Sequence, residues 1–336
     1  MIESIMIFAL SLFFLVLGAD IFLKSAERIG LALGLSSFIV GVTIVAFGTS
    51  FPELFTAITA AFMGVTEMIP ASAIGSNIAN ILLVVGVSAV VGKKLVMTKS
   101  LIDVDLPLLA IGTVILMGVI YPWQSDEIII TRAESIILLA TYVVYLLYTF
   151  LHKEEDDEDE IEIKKIPSRK ERRQHVVIKK KEELSKPKII PKDILLLIVG
   201  GTTLAFSARF VVSSVVDIAE FLEIGVGVVS ILAVAIGTSL PELVVSVKAA
   251  VKGNPEVALG NVFGSNIFNF FVVIGIPGLF VNINVDETTF LVGFPIMILA
   301  TFLFVISGIS RRIHNWEGIF FLALYLIFVG KVIGFL

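Results

Sequence analysis

The 336-residue chain contains no cysteine, which excludes disulfides and thiolate metal sites. Histidine is nearly absent: His152, His175 and His314 are the three, and none belongs to an HExxH metal motif. Charge is also sparse. Asp, Glu, Lys and Arg supply 16% of residues, and many of them crowd into one stretch. What is abundant is apolar sequence, at 57% against about 45–50% in a soluble domain. The net charge of −5 gives no reason to expect a nucleic-acid partner. Together these features describe a chain whose partner is the lipid bilayer.

A membrane-spanning helix needs roughly 20 mostly apolar residues. Ten stretches qualify: Ile5–Leu23, Ser37–Met63, Ala71–Val91, Val104–Ile120, Ile128–Leu151, Ile194–Val215, Val226–Ala250, Val257–Phe280, Thr288–Ile309 and Trp316–Leu336. The first is read as a span and not as a signal peptide, because no positive n-region or small-residue cleavage site accompanies it. With the N-terminus outside, 22 of the 25 Lys and Arg fall on the cytoplasmic side. The exceptions are Arg132, Arg209 and Lys331. The positive-inside rule therefore predicts ten spans in the cell membrane, both termini extracytoplasmic and a cytoplasmic charged linker over 152–192. The linker opens on the acidic run Glu154–Glu160 and continues with basic clusters near Arg169–Arg173 and Lys179–Lys181, a composition that solvates well and folds poorly.

Self-comparison of the chain is more informative. Ala46-Phe-Gly-Thr-Ser-Phe-Pro-Glu53 and Gly75-Ser-Asn-Ile-Ala-Asn80 return as Ala235-Ile-Gly-Thr-Ser-Leu-Pro-Glu242 and Gly264-Ser-Asn-Ile-Phe-Asn269, every match offset by 189. The chain thus divides into 1–151, with its motif region at 41–86, and 193–336, with its motif region at 230–275. Each half holds five spans, an odd number, so the halves cross the membrane in opposite senses. The expected fold is all-α integral membrane: ten transmembrane helices in two inverted five-helix repeats. Inverted repeats are a transporter signature, with the ion site near the midplane at their interface.

The repeated residues suit a hard cation. Pro52 lacks an N–H, so the Gly48 carbonyl loses its helical partner. With Gly48 allowing a bend, the helix is expected to be interrupted there, and Gly237 and Pro241 repeat the arrangement. Thr49 and Glu53 share a helix face, as do Ser76 and Asn80. Glu53 and Glu242 are costly at mid-membrane, roughly 2.5–3.5 kcal/mol each, and repel one another unless a cation or protons neutralise them. Carboxylates, hydroxyls and amide oxygens are calcium and sodium ligands, and no soft ligand favours copper or zinc. Two carboxylates balance one Ca²⁺, whereas three Na⁺ on the same pair leave a charge of +1, so exchange would respond to voltage.

GTSxPE followed by GSNxxN, twice and inverted, resembles the calcium/cation antiporter superfamily and is most similar to its prokaryotic sodium/calcium exchangers. The likeness covers nearly the whole chain. It implies exchange of Na⁺ for Ca²⁺ by alternating access, with calcium extruded and the first and sixth spans sliding over the bundle. It implies that Glu53 and Glu242 bind both ions and that Thr49 and Thr238 offer calcium their backbone carbonyls. Sodium sites would draw on Ala46, Ala235, Ser50, Ser239, Ser76, Ser265 and the threonine hydroxyls. Asn80 and Asn269 are both amides; potassium-coupled relatives carry an acid at the second position, so the likeness does not imply potassium transport. Proton-coupled relatives show Gly-Asn in place of Gly-Thr-Ser, which favours sodium as counter-ion. No cofactor is implied beyond the transported ions, and a monomer would suffice because each half supplies half the site.

Three other readings remain at this level. A proton/calcium exchanger would respond to a pH gradient, a passive channel would need no counter-ion, and an intramembrane enzyme would use the paired acids as acid and base. Asp20 and Arg209, also 189 apart, are expected to reach the inner and outer surfaces respectively.

Overall fold

The structure is a computed structural model that describes residues 2–92, 94–96, 106–121, 128–151, 190–221, 239–310 and 312–332. Thr238, Ala235, residues 152–189 and the first part of the seventh expected span lie outside the described residues.

The helices are α1 (Ile2–Ala32), α2 (Ser37–Phe62), α3 (Met68–Val91), α4 (Leu106–Ile120), α5 (Arg132–Leu151), α6 (Pro191–Phe221), α7 (Leu240–Val251), α8 (Pro255–Gly278), α9 (Thr289–Ile309) and α10 (Asn315–Val332). Seven of them are long and apolar enough to cross a membrane, and α4 is a shorter apolar helix. Each of the ten expected spans thus has a helix at its place, α7 covering the described end of its span. The chain is a multi-pass membrane protein.

Two helices differ from expectation in length. The apolar runs Ile5–Leu23 and Ile194–Val215 lie inside 31-residue helices, α1 and α6. Asp20, Lys24, Glu27 and Arg28 end the hydropathy signal without ending the helix, because charged residues at a helix end tolerate helical dihedrals and find partners there. Asp20 lies 2.6 Å from Lys24 and 2.6 Å from Lys252; Glu27 accepts from Asn254 at 2.8 Å; Arg28 sits 3.5 Å from Asp193. At about 1.5 Å per residue these helices exceed a bilayer core of about 30 Å, and such helices tilt or project beyond it. They run antiparallel to one another: a Cβ on Gly18 would meet Leu204 and one on Gly200 would meet Phe22.

The span of α8 is wholly buried and those of α3 and α2 mostly so, while those of α1, α5, α6 and α9 are mostly outward-facing. The motif helices therefore form the inner bundle. At the crossing of α2 and α8 the backbones touch: a Cβ on Gly41 would lie 2.7 Å from the Val257 carbonyl, and one on Gly264 2.3 Å from that of Val42. Without a hydrophobic driving force in lipid, such close approach is how membrane helices gain packing energy.

Two short ladders tie the loops. β1 (Lys94–Val96), after α3, pairs antiparallel with β4 (Arg312–His314), before α10. β2 (Ile129–Ile130), before α5, pairs antiparallel with β3 (Ile283–Asn284), after α8. Odd-numbered connections thus pair with each other, and so do even-numbered ones, as alternating crossings require. β1 and β3 are themselves 189 apart, so equivalent loops belong to different ladders. That is the geometry of inverted repeats.

Candidate cation site

Glu53 and Thr49 project from α2, whose N-terminus is capped by Ser36: its Oγ accepts the Ile39 N–H at 3.3 Å. The expected interruption at Gly48–Pro52 is absent, and the α-helix runs unbroken from Ala46 through Pro52 to Phe62. The irregularity lies upstream, as a wide π turn over Gly41–Val45. Gly48 serves a different need, since a Cβ there would lie 2.2 Å from Phe22 Cζ of α1. The missing side chain admits a neighbouring helix and not a bend. In the second half α7 begins at Leu240 with Pro241 in its first turn, where proline's missing N–H costs nothing.

Asn80 is the second residue of a π turn over Ala79–Val84 in α3, and Asn269 the first of a matching turn over Asn269–Val273 in α8. Such turns insert a residue into the helical ladder and frequently occur at functional sites.

Glu53, Glu242, Thr49, Ser50, Ser76, Ser239, Ser265, Asn80 and Asn269 are all buried polar groups, and Ala46 is buried beside them. Ser50 Oγ donates to Glu242 Oε1 at 3.0 Å and lies 2.9 Å from Ser265 Oγ. Ser76 and Ser239 hydroxyls are 3.3 Å apart. Asn269 Nδ2 donates to Ser76 Oγ at 3.2 Å. The bonds cross between the two repeats, so the offset-matched motifs meet in space.

Among the described residues, five buried acceptors here have no hydrogen-bond partner: Glu53 Oε1, Glu53 Oε2, Glu242 Oε2, Asn80 Oδ1 and Asn269 Oδ1. An orphaned buried oxygen is expensive. Five acceptors gathered on four helices, two of them from one carboxylate, are what a dehydrated hard cation would satisfy.

The structure adds four residues that were not singled out. Asn77 Nδ2 donates to the Asn266 carbonyl at 3.2 Å, Asn80 Nδ2 to Asn266 Oδ1 at 3.3 Å, and Asn269 Nδ2 to Asn77 Oδ1 at 3.0 Å. These bonds spend the amide N–H groups of Asn80 and Asn269 on the facing repeat and leave their oxygens free. The repeat itself carried that signal, because Asn77 and Asn266 match within GSN. Asn261 and Ser246 had no such signal: their equivalents are Ser72 and Ala57.

The family model described as "Sodium/calcium exchanger protein" matches residues 3–151 and 192–334. The chain belongs to the sodium/calcium exchanger family. Sodium/calcium exchanger MaX1 of Methanosarcina acetivorans is 33% identical over 97% of each chain. Putative antiporter CaxA of Alkalimonas amylolytica is 32% identical over 90% of each. Among solved structures, the sodium-calcium exchanger NCX_Mj soaked with zero Na⁺ and Ca²⁺ superposes with a TM-score of 0.75 at 28% identity, covering 98% of this chain and 99% of that one. These relatives are transporters, and the family is not one of enzymes.

Proposed function

We propose that this exchanger moves Na⁺ against Ca²⁺ by alternating access, and that Glu53, Glu242, Thr49, Ser50, Ser76, Ser239, Ser265, Asn80, Asn269 and the Ala46 carbonyl form the shared ion site, with Thr238 and Ala235 completing it by repeat equivalence. The observation that carries this reading is the set of five buried acceptors without donors on Glu53, Glu242, Asn80 and Asn269. Two carboxylates neutralise one Ca²⁺, and more than two Na⁺ on the same pair carry net charge, so exchange is electrogenic. The relatives named as sodium/calcium exchangers support these two ions as the cargo.

The basic residues that gather around Asp20 at the end of α7 support a cytoplasmic end there and extracytoplasmic termini. The break in the family match at 152–191 supports a separate charged linker between the halves. Each half contributes one carboxylate, so one copy suffices.

Radioactive calcium uptake into proteoliposomes tests the reading, with sodium, potassium and proton gradients imposed separately. Uptake driven by internal sodium and enhanced by a voltage of the appropriate sign is expected. Uptake driven only by protons would change the coupling ion, and uptake without any counter-ion would make the protein a channel.

A further inference from the structure

The two halves of the site are not equally supported. Thr49 is fully buried, and its single hydroxyl proton has Asn261 Oδ1 at 3.1 Å and the Ala46 carbonyl at 3.3 Å within hydrogen-bond distance, with the Glu242 carboxylate as a further acceptor nearby. Asn261, also fully buried, donates through Nδ2 to Ser246 Oγ at 2.9 Å and to the Glu242 carbonyl at 3.5 Å. A backbone carbonyl only accepts. The Asn261 amide is therefore oriented with its NH₂ toward α7 and its oxygen toward Thr49. Thr49 must be the donor, and its own lone pairs stay unspent.

This amide links three helices: Thr49 of α2, Glu242 and Ser246 of α7, and its own α8. The repeat-equivalent positions cannot build the same chain of bonds. Ser72 replaces Asn261 and has no amide, and Ala57 replaces Ser246 and has no hydroxyl. Among the described residues the brace is seen on the Thr49 half, and the sequence of the other half lacks the amide and the hydroxyl to repeat it.

We propose that Asn261 is a positioning residue for sodium: by taking the Thr49 proton it leaves the Thr49 hydroxyl oxygen, and the lone pair of the Ala46 carbonyl that the helix does not use, open to Na⁺, and so makes the two half-sites unequal. The proposal rests on the exchange reading above. Without Asn261, the Thr49 proton turns to the Ala46 carbonyl or to the Glu242 carboxylate, and either way it occupies an oxygen that sodium would use. Sodium is the more sensitive ion, because several Na⁺ divide two carboxylates among them and rely on neutral oxygens for the rest. One Ca²⁺ is balanced by the carboxylates alone.

The test is sodium-driven calcium uptake in proteoliposomes, with half-saturating Na⁺ and Ca²⁺ measured for wild type, Asn261→Ser, Thr49→Val and the double variant. Asn261→Ser should raise half-saturating Na⁺ by about fivefold, the factor equivalent to one neutral hydrogen bond, and move half-saturating Ca²⁺ less than about twofold. In the Thr49→Val background the same change should add no further sodium shift, because the proton it manages is gone. Ser246→Ala should shift sodium in the same direction by a smaller factor, and it decides the matter if Asn261→Ser does not fold. An unchanged sodium requirement, equal shifts for both ions, or additive effects in the double variant would each overturn the proposal. Absence of sodium-driven uptake in the wild type would instead overturn the exchange reading.

Discussion

Ser50 of the first repeat donates a 3.0 Å hydrogen bond to Glu242 of the second. That bond partners one oxygen of one of the two buried carboxylates and leaves the Glu53 carboxylate without a partner among the described residues. The carboxylates are thus differently supported although the motifs that hold them are nearly identical.

Charge removal at either carboxylate tests the site directly. Glu53→Gln keeps shape and volume but not charge, and Glu242→Gln does the same while retaining an acceptor for Ser50. Calcium transport should fall by about 100-fold or more in each, in line with losing one partner of a buried charge interaction. Near-normal flux in either variant would remove the carboxylate pair from transport.

The same variants should behave oppositely in stability measurements. Wild type in detergent should melt at a higher temperature as Ca²⁺ is added, gaining about 2.7 kcal/mol at a hundred times Kd. Both glutamine variants should lose most of that response. In ion-free buffer they should melt no earlier than wild type, because a buried carboxylate with no cation to balance it has been neutralised. A calcium response retained in both would mean that calcium binds elsewhere.

Gly48→Ala should impair docking of α1, since the added Cβ would lie 2.2 Å from the Phe22 ring. Loss of transport and a lower melting temperature are expected. Phe22→Ala in the same chain should restore part of both, which is the signature of a local clash. Failure of that second change to help would point to backbone bending at Gly48 after all.

Asp20→Asn removes the anion that faces Lys24 of α1 and Lys248 and Lys252 at the end of α7. These groups are partly solvent-exposed, so the cost should be about 1 kcal/mol or less and should shrink in high salt. Half-saturating Na⁺ and Ca²⁺ should stay within about twofold of wild type. A large change in either would place Asp20 in the ion path.

Deleting Glu154–Lys186 should leave basal exchange intact, because the family match and the repeat both skip this stretch. Complete loss of transport in a folded deletion protein would assign the linker a necessary role.

Much of this protein was legible in its sequence. Each apolar run found a helix at its place among the described residues, and an offset of 189 paired Glu53 with Glu242 and Asn80 with Asn269, because a duplicated motif keeps its spacing whatever the packing around it. An odd number of spans per half then required inversion. Composition could not reveal helix ends such as those of α1, where hydropathy stops at the charged residues but backbone hydrogen bonding does not. Spacing alone misassigned Gly48, whose reason lies on another helix. Asn261 and Ser246 escaped because a search for symmetry passes over what the halves do not share. The sequence by itself determined the fold, the inversion and the residue types at the centre. Only the tertiary structure decided which oxygens are spent on neighbouring hydrogen bonds and which remain free for an ion, because that depends on contacts between residues far apart in the chain.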